Sequence, residues 1–171
     1  MQKECECIMF GKLKNLFSQP GITIASPVSG MVVPLTEVPD PTFAQGILGP
    51  GAAVQPSEGR IVAPANGTVD MMFDTGHAVS MTTSEGAELL IHVGIDTVNL
   101  KGQHYTAKCK SGDTVRKGDT LIEFDIDAIR EAGYEVVTPV IVCNPDAFAS
   151  VKSVDAGSVQ AGDDLLTLEK K

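Results

Sequence analysis

Histidine occurs three times in the 171-residue chain, at positions 77, 92 and 104, and two of the three fall on segments that can face each other. Ala78–Thr82 and Ala87–Ile91 flank Thr83-Ser84-Glu85-Gly86, whose composition is that of a hairpin turn. A loop of two or four residues sets Thr82 opposite Ala87, Met81 opposite Glu88 and Val79 opposite Leu90, and therefore His77 opposite His92. Directly opposed residues on antiparallel strands have Cβ atoms roughly 5 Å apart on one face. The expectation is two touching imidazoles, with Val79, Met81 and Leu90 on their face and Ser80 and Ile91 on the other. An odd loop or a bulge would shift the register by one and undo the relation. The third histidine, in Gly102-Gln103-His104-Tyr105, has no partner in the pattern and is expected in an exposed loop.

Adjacent imidazoles have two principal uses. Neutral rings bind zinc, or one ring nitrogen attacks phosphorus while the second ring donates a hydrogen bond to the phosphoryl oxygens. A zinc hydrolase on His77 and His92 lacks a clear third ligand. The chain has no P-loop and no dinucleotide glycine fingerprint after a strand, which disfavours a nucleotide-dependent kinase. A phosphoryl acceptor fed by another phosphoprotein needs neither motif. The four cysteines, Cys5, Cys7, Cys109 and Cys143, form no CxxC and no zinc spacing with histidine, and read as reduced thiols.

The segments that position the histidines are short apolar runs separated by Gly, Pro, Asn and Asp. Ile22–Ala25, Met31–Leu35, Ile61–Ala63, Thr68–Phe73, Ala78–Thr82, Glu88–Val93, Leu121–Phe124, Val136–Val142 and Leu165–Leu168 read as strands. One helix is expected near Asp125–Ala132, capped by Asp125 and ended by Gly133. The architecture is all-β, a mostly antiparallel sandwich or partly closed barrel with little helix. Two internal echoes add a duplication. Pro27-Val28-Ser29-Gly30 matches Pro64-Ala65-Asn66-Gly67, and Thr114–Ile122 matches Ser158–Leu166, both copies of this second echo running through a Gly-Asp turn into an apolar strand. Such copies pack as pseudo-symmetric halves.

Residues 1–20 read as a tail ahead of a domain at 21–171. Within it Met9, Phe10, Leu13, Leu16 and Phe17 fall on one helical face with Lys12 and Lys14 off it, the stripe of an interfacial amphipathic helix over residues 8–17 that would meet an anionic membrane surface. Ser18-Gln19-Pro20-Gly21 breaks the pattern.

With 43% hydrophobic residues the chain can build a core, and 17 Gly with 10 Pro favour many short strands. The net charge is −9, and because the first 17 residues are slightly basic, the body is more acidic still. Such a surface repels nucleic acid and attracts a basic partner. No apolar run reaches a membrane span and the N-terminus lacks a signal-peptide core, so a cytoplasmic protein is expected, with the tail bringing it to the inner face of the membrane.

Gly86-Ala87-Glu88-Leu89-Leu90-Ile91-His92-Val93-Gly94-Ile95-Asp96-Thr97-Val98 resembles the signature of the glucose-type EIIA domain of the bacterial phosphoenolpyruvate:sugar phosphotransferase system. Val38-Pro39-Asp40, Val62-Ala63-Pro64, Thr75-Gly76-His77 and Gly118-Asp119-Thr120 fall in family order, and the resemblance runs from about Ile22 to Leu168. It implies an antiparallel sandwich without a cofactor. His92 would take a phosphoryl group from the histidine phosphocarrier HPr and pass it to a cysteine on a IIB domain. His77 would be the second active-site histidine, hydrogen-bonded and oriented by Thr75. Asp40 and Asp96 would meet basic residues of the carrier. Phe43, Leu48, Phe73, Leu90 and Val98 would form an apolar docking ring. Pro41-Thr42 departs from the aliphatics common after Asp40, and a zinc shared by His77 and His92 with a partner is a further implication. Met1 and the terminal Lys170-Lys171 suit a free-standing IIA protein. The paired V-x-x-G-D-x-L turns also suit a lipoyl- or biotinyl-type carrier, but no hairpin lysine in a D-K-x or M-K-M setting is present.

Overall fold

The computed structural model describes residues 21–171. The expected tail, with its amphipathic stripe at 8–17, lies outside the described residues.

In chain order the elements are β1 (Ile22–Ala25), β2 (Gly30–Val33), the short helix α1 (Pro41–Ala44), β3 (Gly51–Pro56), β4 (Arg60–Val62), β5 (Gly67–Met72), β6 (Ala78–Thr83) and β7 (Glu88–His92). They continue with β8 (Tyr105–Ala107), β9 (Thr114–Val115), β10 (Thr120–Phe124), α2 (Ile126–Glu131), β11 (Thr138–Val142), β12 (Phe148–Ser153), β13 (Gly157–Val159) and β14 (Asp164–Lys170). An eight-stranded sheet runs β13-β2-β3-β11-β7-β6-β5-β9, and two three-stranded sheets run β1-β14-β12 and β4-β10-β8. Every strand pairing is antiparallel. The all-β, sandwich-type expectation holds, with the sheets open rather than closed into one barrel.

All nine expected strands are present, to within two residues or so at most ends. Asp125 caps α2 as expected, its carboxylate accepting the Ala128 N–H at 3.0 Å. The patterning missed β3, β8, β9, β12 and β13, and also α1. Met31–Leu35 is shorter as a strand than expected, because Pro34 stops the ladder and Leu35–Glu37 forms a 3-10 turn.

The duplication appears as reciprocal hydrogen bonds. Ala25 N–H donates to Pro64 C=O (3.1 Å), and Val62 N–H donates to Pro27 C=O (2.8 Å). Ser26 N–H reaches Asp163 C=O, as Ala63 N–H reaches Asp119 C=O. Gly162 N–H returns to Ser26 C=O, as Gly118 N–H returns to Ala63 C=O. In both Gly-Asp turns the aspartate closes its own loop: Asp119 accepts from Arg116 N–H (2.9 Å) and Asp163 from Gln160 N–H (2.8 Å). The two halves are locked by the same residue types the sequence repeats.

Two apolar clusters form. The larger joins the sheets through Ile24, Ile61, Met81, Leu89, Ile91, Leu121 and Leu166. The smaller lies on the other side of the large sheet, where Val38, Phe43, Ala53, Ile95, Val137 and Ile141 pack together with Leu90 at their edge. This second cluster is the floor beside His92.

Candidate active site

The hairpin between β6 and β7 corrects the sequence register. Ala78, not His77, pairs with His92, followed by Val79 with Ile91, Ser80 with Leu90 and Thr82 with Glu88. The cause is an odd loop. Thr83 N–H donates to Ala87 C=O (2.8 Å), and the Thr83 hydroxyl accepts the Ala87 N–H (3.0 Å). Only Ser84-Glu85-Gly86 turn the corner, with Gly86 at φ +94°, a conformation that favours glycine. The faces change accordingly. Leu90 and His92 share a face with Ser80, whereas Val79 and Met81 lie in the main core with Leu89 and Ile91.

The histidines meet nonetheless. Their ring centroids are 4.8 Å apart and the planes are nearly perpendicular, 79°. His77 lies one residue beyond the ladder, where its C=O accepts the Val93 N–H at 2.7 Å. Preceding it, Asp74–Gly76 turn the chain, with Gly76 at φ +70°. Strict up-and-down alternation binds side chains only inside a pleated strand. Just beyond that ladder, His77 contacts the last strand residue of β7.

Each ring is held by its Nδ1. His92 Nδ1–H donates to the Gly94 carbonyl at 2.7 Å. A carbonyl only accepts, so this bond puts the proton on Nδ1 and leaves the Nε2 lone pair free. His77 Nδ1 contacts the Thr75 hydroxyl, as the resemblance implied. His77 is buried, 3% exposed, and His92 half-buried. Burial pushes the His77 pKa down to about 4, with the neighbouring His92 adding to the fall. At pH 7 only about one His77 in a thousand would be protonated. His92 is also lowered, chiefly by burial, while the Gly94 carbonyl, Asp40 and Asp96 pull it back up. Both rings are therefore neutral near pH 7.

Asp40 is tied at the start of α1, where its Oδ1 accepts the Thr42 N–H (2.9 Å) and Pro41 occupies the first helical position. The Pro41-Thr42 departure is thus a local helix start, in which proline's missing N–H costs nothing. Asp96 stands at φ +59° ahead of a 3-10 turn, Thr97–Leu100.

The five apolar residues divide by burial. Leu48 and Val98 are exposed, 39% and 51%, and Ile47, which sequence reasoning did not single out, is 67% exposed. Phe73 and Leu90 are half-buried, with the Phe73 ring 5.5 Å from that of His77. Phe43 differs from the expected rim position. It is 4% exposed in the smaller cluster, its ring 5.1 Å from His92, and forms a wall of the site.

His104 is exposed in a loop at φ +75°. It lines a polar groove of about 520 Å³ with Arg60, Glu123 and Asp125, which neither site histidine enters. Among the described residues no group of three or more His, Cys, Asp or Glu is placed to hold a metal, and no helix is long and apolar enough to cross a membrane.

Sequence reasoning also missed the support under the pair. Gly94 at φ +91° has no room for a side chain: a Cβ there would lie 2.5 Å from Thr97 Cγ2 and 2.8 Å from the Glu135 oxygen. Thr97 and Tyr105 both donate to the Val93 carbonyl, at 2.7 and 2.9 Å.

Comparison with known proteins places the chain in a family. The profile of the phosphoenolpyruvate-dependent sugar phosphotransferase system EIIA 1 family matches residues 22–148. A glucose-specific EIIA component of Oceanobacillus iheyensis is 44% identical over 158 residues, which are 90% of this chain and 96% of that protein. A beta-glucoside-specific EIIBCA component of Bacillus subtilis is 47% identical over 145 residues, 85% of this chain but 24% of the relative. Among solved structures, the glucose permease IIA of Mycoplasma capricolum superposes with a TM-score of 0.81 at 29% identity, covering 86% of this chain and 96% of that one. The neutral histidine pair therefore sits in a fold already known for moving phosphoryl groups during sugar uptake, and the chain belongs to the EIIA 1 family of the phosphoenolpyruvate-dependent sugar phosphotransferase system.

Proposed function

We propose that His92 is the phosphoryl carrier and that its Nε2 is the nucleophile. The observation that supports this most is the Nδ1–H bond to Gly94 C=O, which leaves Nε2 as the nitrogen with a lone pair beside His77. Phospho-HPr is the donor. Its P–N bond breaks as the His92 Nε2–P bond forms, and the His92 ring gains positive charge. The Gly94 carbonyl then accepts a charge-assisted bond from Nδ1–H, and Asp40 and Asp96 favour the cationic ring. In the second step a thiolate of a IIB domain attacks phosphorus, the Nε2–P bond breaks and the neutral imidazole returns.

His77 is the stabiliser of the phosphoryl group. With the Thr75 hydroxyl donating to its Nδ1, the proton resides on Nε2, where it can be donated to phosphoryl oxygens. The lowered pKa leaves the ring neutral with one N–H, and with that proton on Nε2 the donor is kept. Phosphoryl transfer asks chiefly for such positioning and charge stabilisation.

The exposed Ile47, Leu48 and Val98, with half-buried Leu90 and Phe73, supply the apolar docking rim, and Asp40 and Asp96 supply acidic contacts for a basic carrier surface. Residues 21–171 act as one EIIA unit in the cytoplasm. Contact with an anionic membrane through residues 8–17 is read from sequence alone. Vesicle co-sedimentation of the full chain and of a chain lacking residues 1–20 tests it, and equal sedimentation of the two refutes it. For the carrier role, the test is reconstitution. With phosphoenolpyruvate, enzyme I and HPr the chain should acquire one acid-labile phosphoryl group and lose it to a IIB cysteine. No loading under these conditions refutes the reading.

A further inference from the structure

We propose that Tyr105, acting with Thr97 through the Val93 carbonyl, is a positioning residue that holds the two histidine-bearing turns together; the proposal rests on His92 as the carrier. The β6–β7 ladder ends at Ala78 and His92, so nothing in the regular sheet fixes what lies beyond. There the chains are joined by Val93 N–H donating to His77 C=O. The same Val93 residue turns its carbonyl to two hydroxyls, Thr97 Oγ1 at 2.7 Å and Tyr105 OH at 2.9 Å. The following N–H, of Gly94, donates to Val137 C=O at 3.1 Å. The Val93–Gly94 peptide is thus pinned at both polar ends, and the next carbonyl, Gly94 C=O, is the acceptor that orients His92.

Tyr105 reaches the other histidine as well. Its Cβ would be 3.3 Å from a side chain at Gly76, so it packs directly on the Thr75-Gly76-His77 turn. Its ring stacks on Phe124, 6.3 Å between centroids and 25° between planes. Burial pushes its phenol up to about 12, so the hydroxyl keeps its proton, and its donor role, across the physiological range. One side chain therefore touches the turn that carries His77 and hydrogen-bonds the turn that follows His92, without touching either imidazole's reacting nitrogen. Thr97 is fully buried and supplies the second donor.

The test uses the full chain with 15N-labelled histidine. In the unaltered protein the His92 ring should show a protonated Nδ1 and an unprotonated Nε2. Tyr105→Phe keeps the ring and removes only the hydroxyl, and Thr97→Val removes the second donor. Each should enlarge the minor His92 tautomer and slow phosphoryl acceptance about 3- to 10-fold, the worth of one net hydrogen bond. Thr97→Ser should restore both readouts. The nitrogen spectra need no phosphoryl donor, so a failure of the carrier assignment would leave them interpretable. Should Thr97→Val fail to fold, Tyr105→Phe carries the test alone. Unchanged His92 nitrogens in Tyr105→Phe, or a rate loss that merely follows lost thermal stability, would overturn the proposal.

Discussion

His77 and His92 meet edge to face with 4.8 Å between ring centroids, although the residue paired with His92 across the hairpin is Ala78. The contact is made where the ladder stops. The pair is therefore set by the turns at Thr75–His77 and Val93–Asp96, and changes in those turns should reach the chemistry.

Gly94→Ala should be strongly destabilising. The added Cβ meets Thr97 and the Glu135 carbonyl well inside van der Waals contact, at a left-handed φ of +91°. Strain and overpacking together should cost roughly 2–4 kcal/mol. Urea unfolding at pH 7 measures this, and a loss below about 1 kcal/mol would show that the turn can relax.

His77→Gln should separate the two half-reactions. Glutamine keeps a donor but loses the imidazole held by Thr75. Acceptance from phospho-HPr should persist, whereas donation to IIB should slow by orders of magnitude, since the departing phosphoryl group must be aimed at a cysteine. Rapid-quench measurement of both steps decides it, and equal loss in both contradicts the division.

The depressed His77 pKa has a consequence for stability. The unfolded imidazole titrates near 6.5, the folded one at about 4. Between these values the unfolded chain binds a proton that the folded chain does not. Stability from this group is complete above pH 6.5, falls as the pH drops through the window, and is fully lost below 4, with a ceiling of about 3 kcal/mol. Unfolding at pH 7 and pH 5 should therefore show a smaller pH loss for His77→Gln than for the unaltered chain. The same pH loss in both would contradict a buried neutral His77.

Asp96→Asn should preserve the fold, because asparagine tolerates the left-handed conformation that Asp96 adopts at φ +59°. It should slow encounter with HPr at low ionic strength, and added salt should shrink the difference. Stopped-flow transfer across a salt series provides the check. A deficit that persists undiminished at high salt would point to a local defect and not to steering.

The sequence made the histidine pair legible because histidine is scarce, and the duplicated Gly-Asp turns legible because they recur at a constant offset. The register was not legible. Thr83-Ser84-Glu85-Gly86 reads equally as an even or an odd loop, and the choice is made by the Thr83 side chain capping Ala87 N–H. Strand β3, Gly-Ala-Ala-Val-Gln-Pro, was missed because it shows neither alternation nor bulky β-formers, and its pairing partners supply the stability that its propensity does not. Phe43 came to the rim through the family resemblance alone, and nothing in the Pro-Thr-Phe-Ala segment reports its burial beside the large sheet. Tyr105 reaches Val93 across twelve residues, a bond that no periodicity reports.

The most direct test is to locate the phosphoryl group. Phosphorus and nitrogen NMR of the chain loaded from phospho-HPr should place one phosphoryl group on Nε2 of His92, with Nδ1 still protonated against Gly94, and His92→Ala should remain unphosphorylated while folded. Phosphohistidine in the His92→Ala protein, or phosphorylation of His92 at Nδ1, would contradict the account.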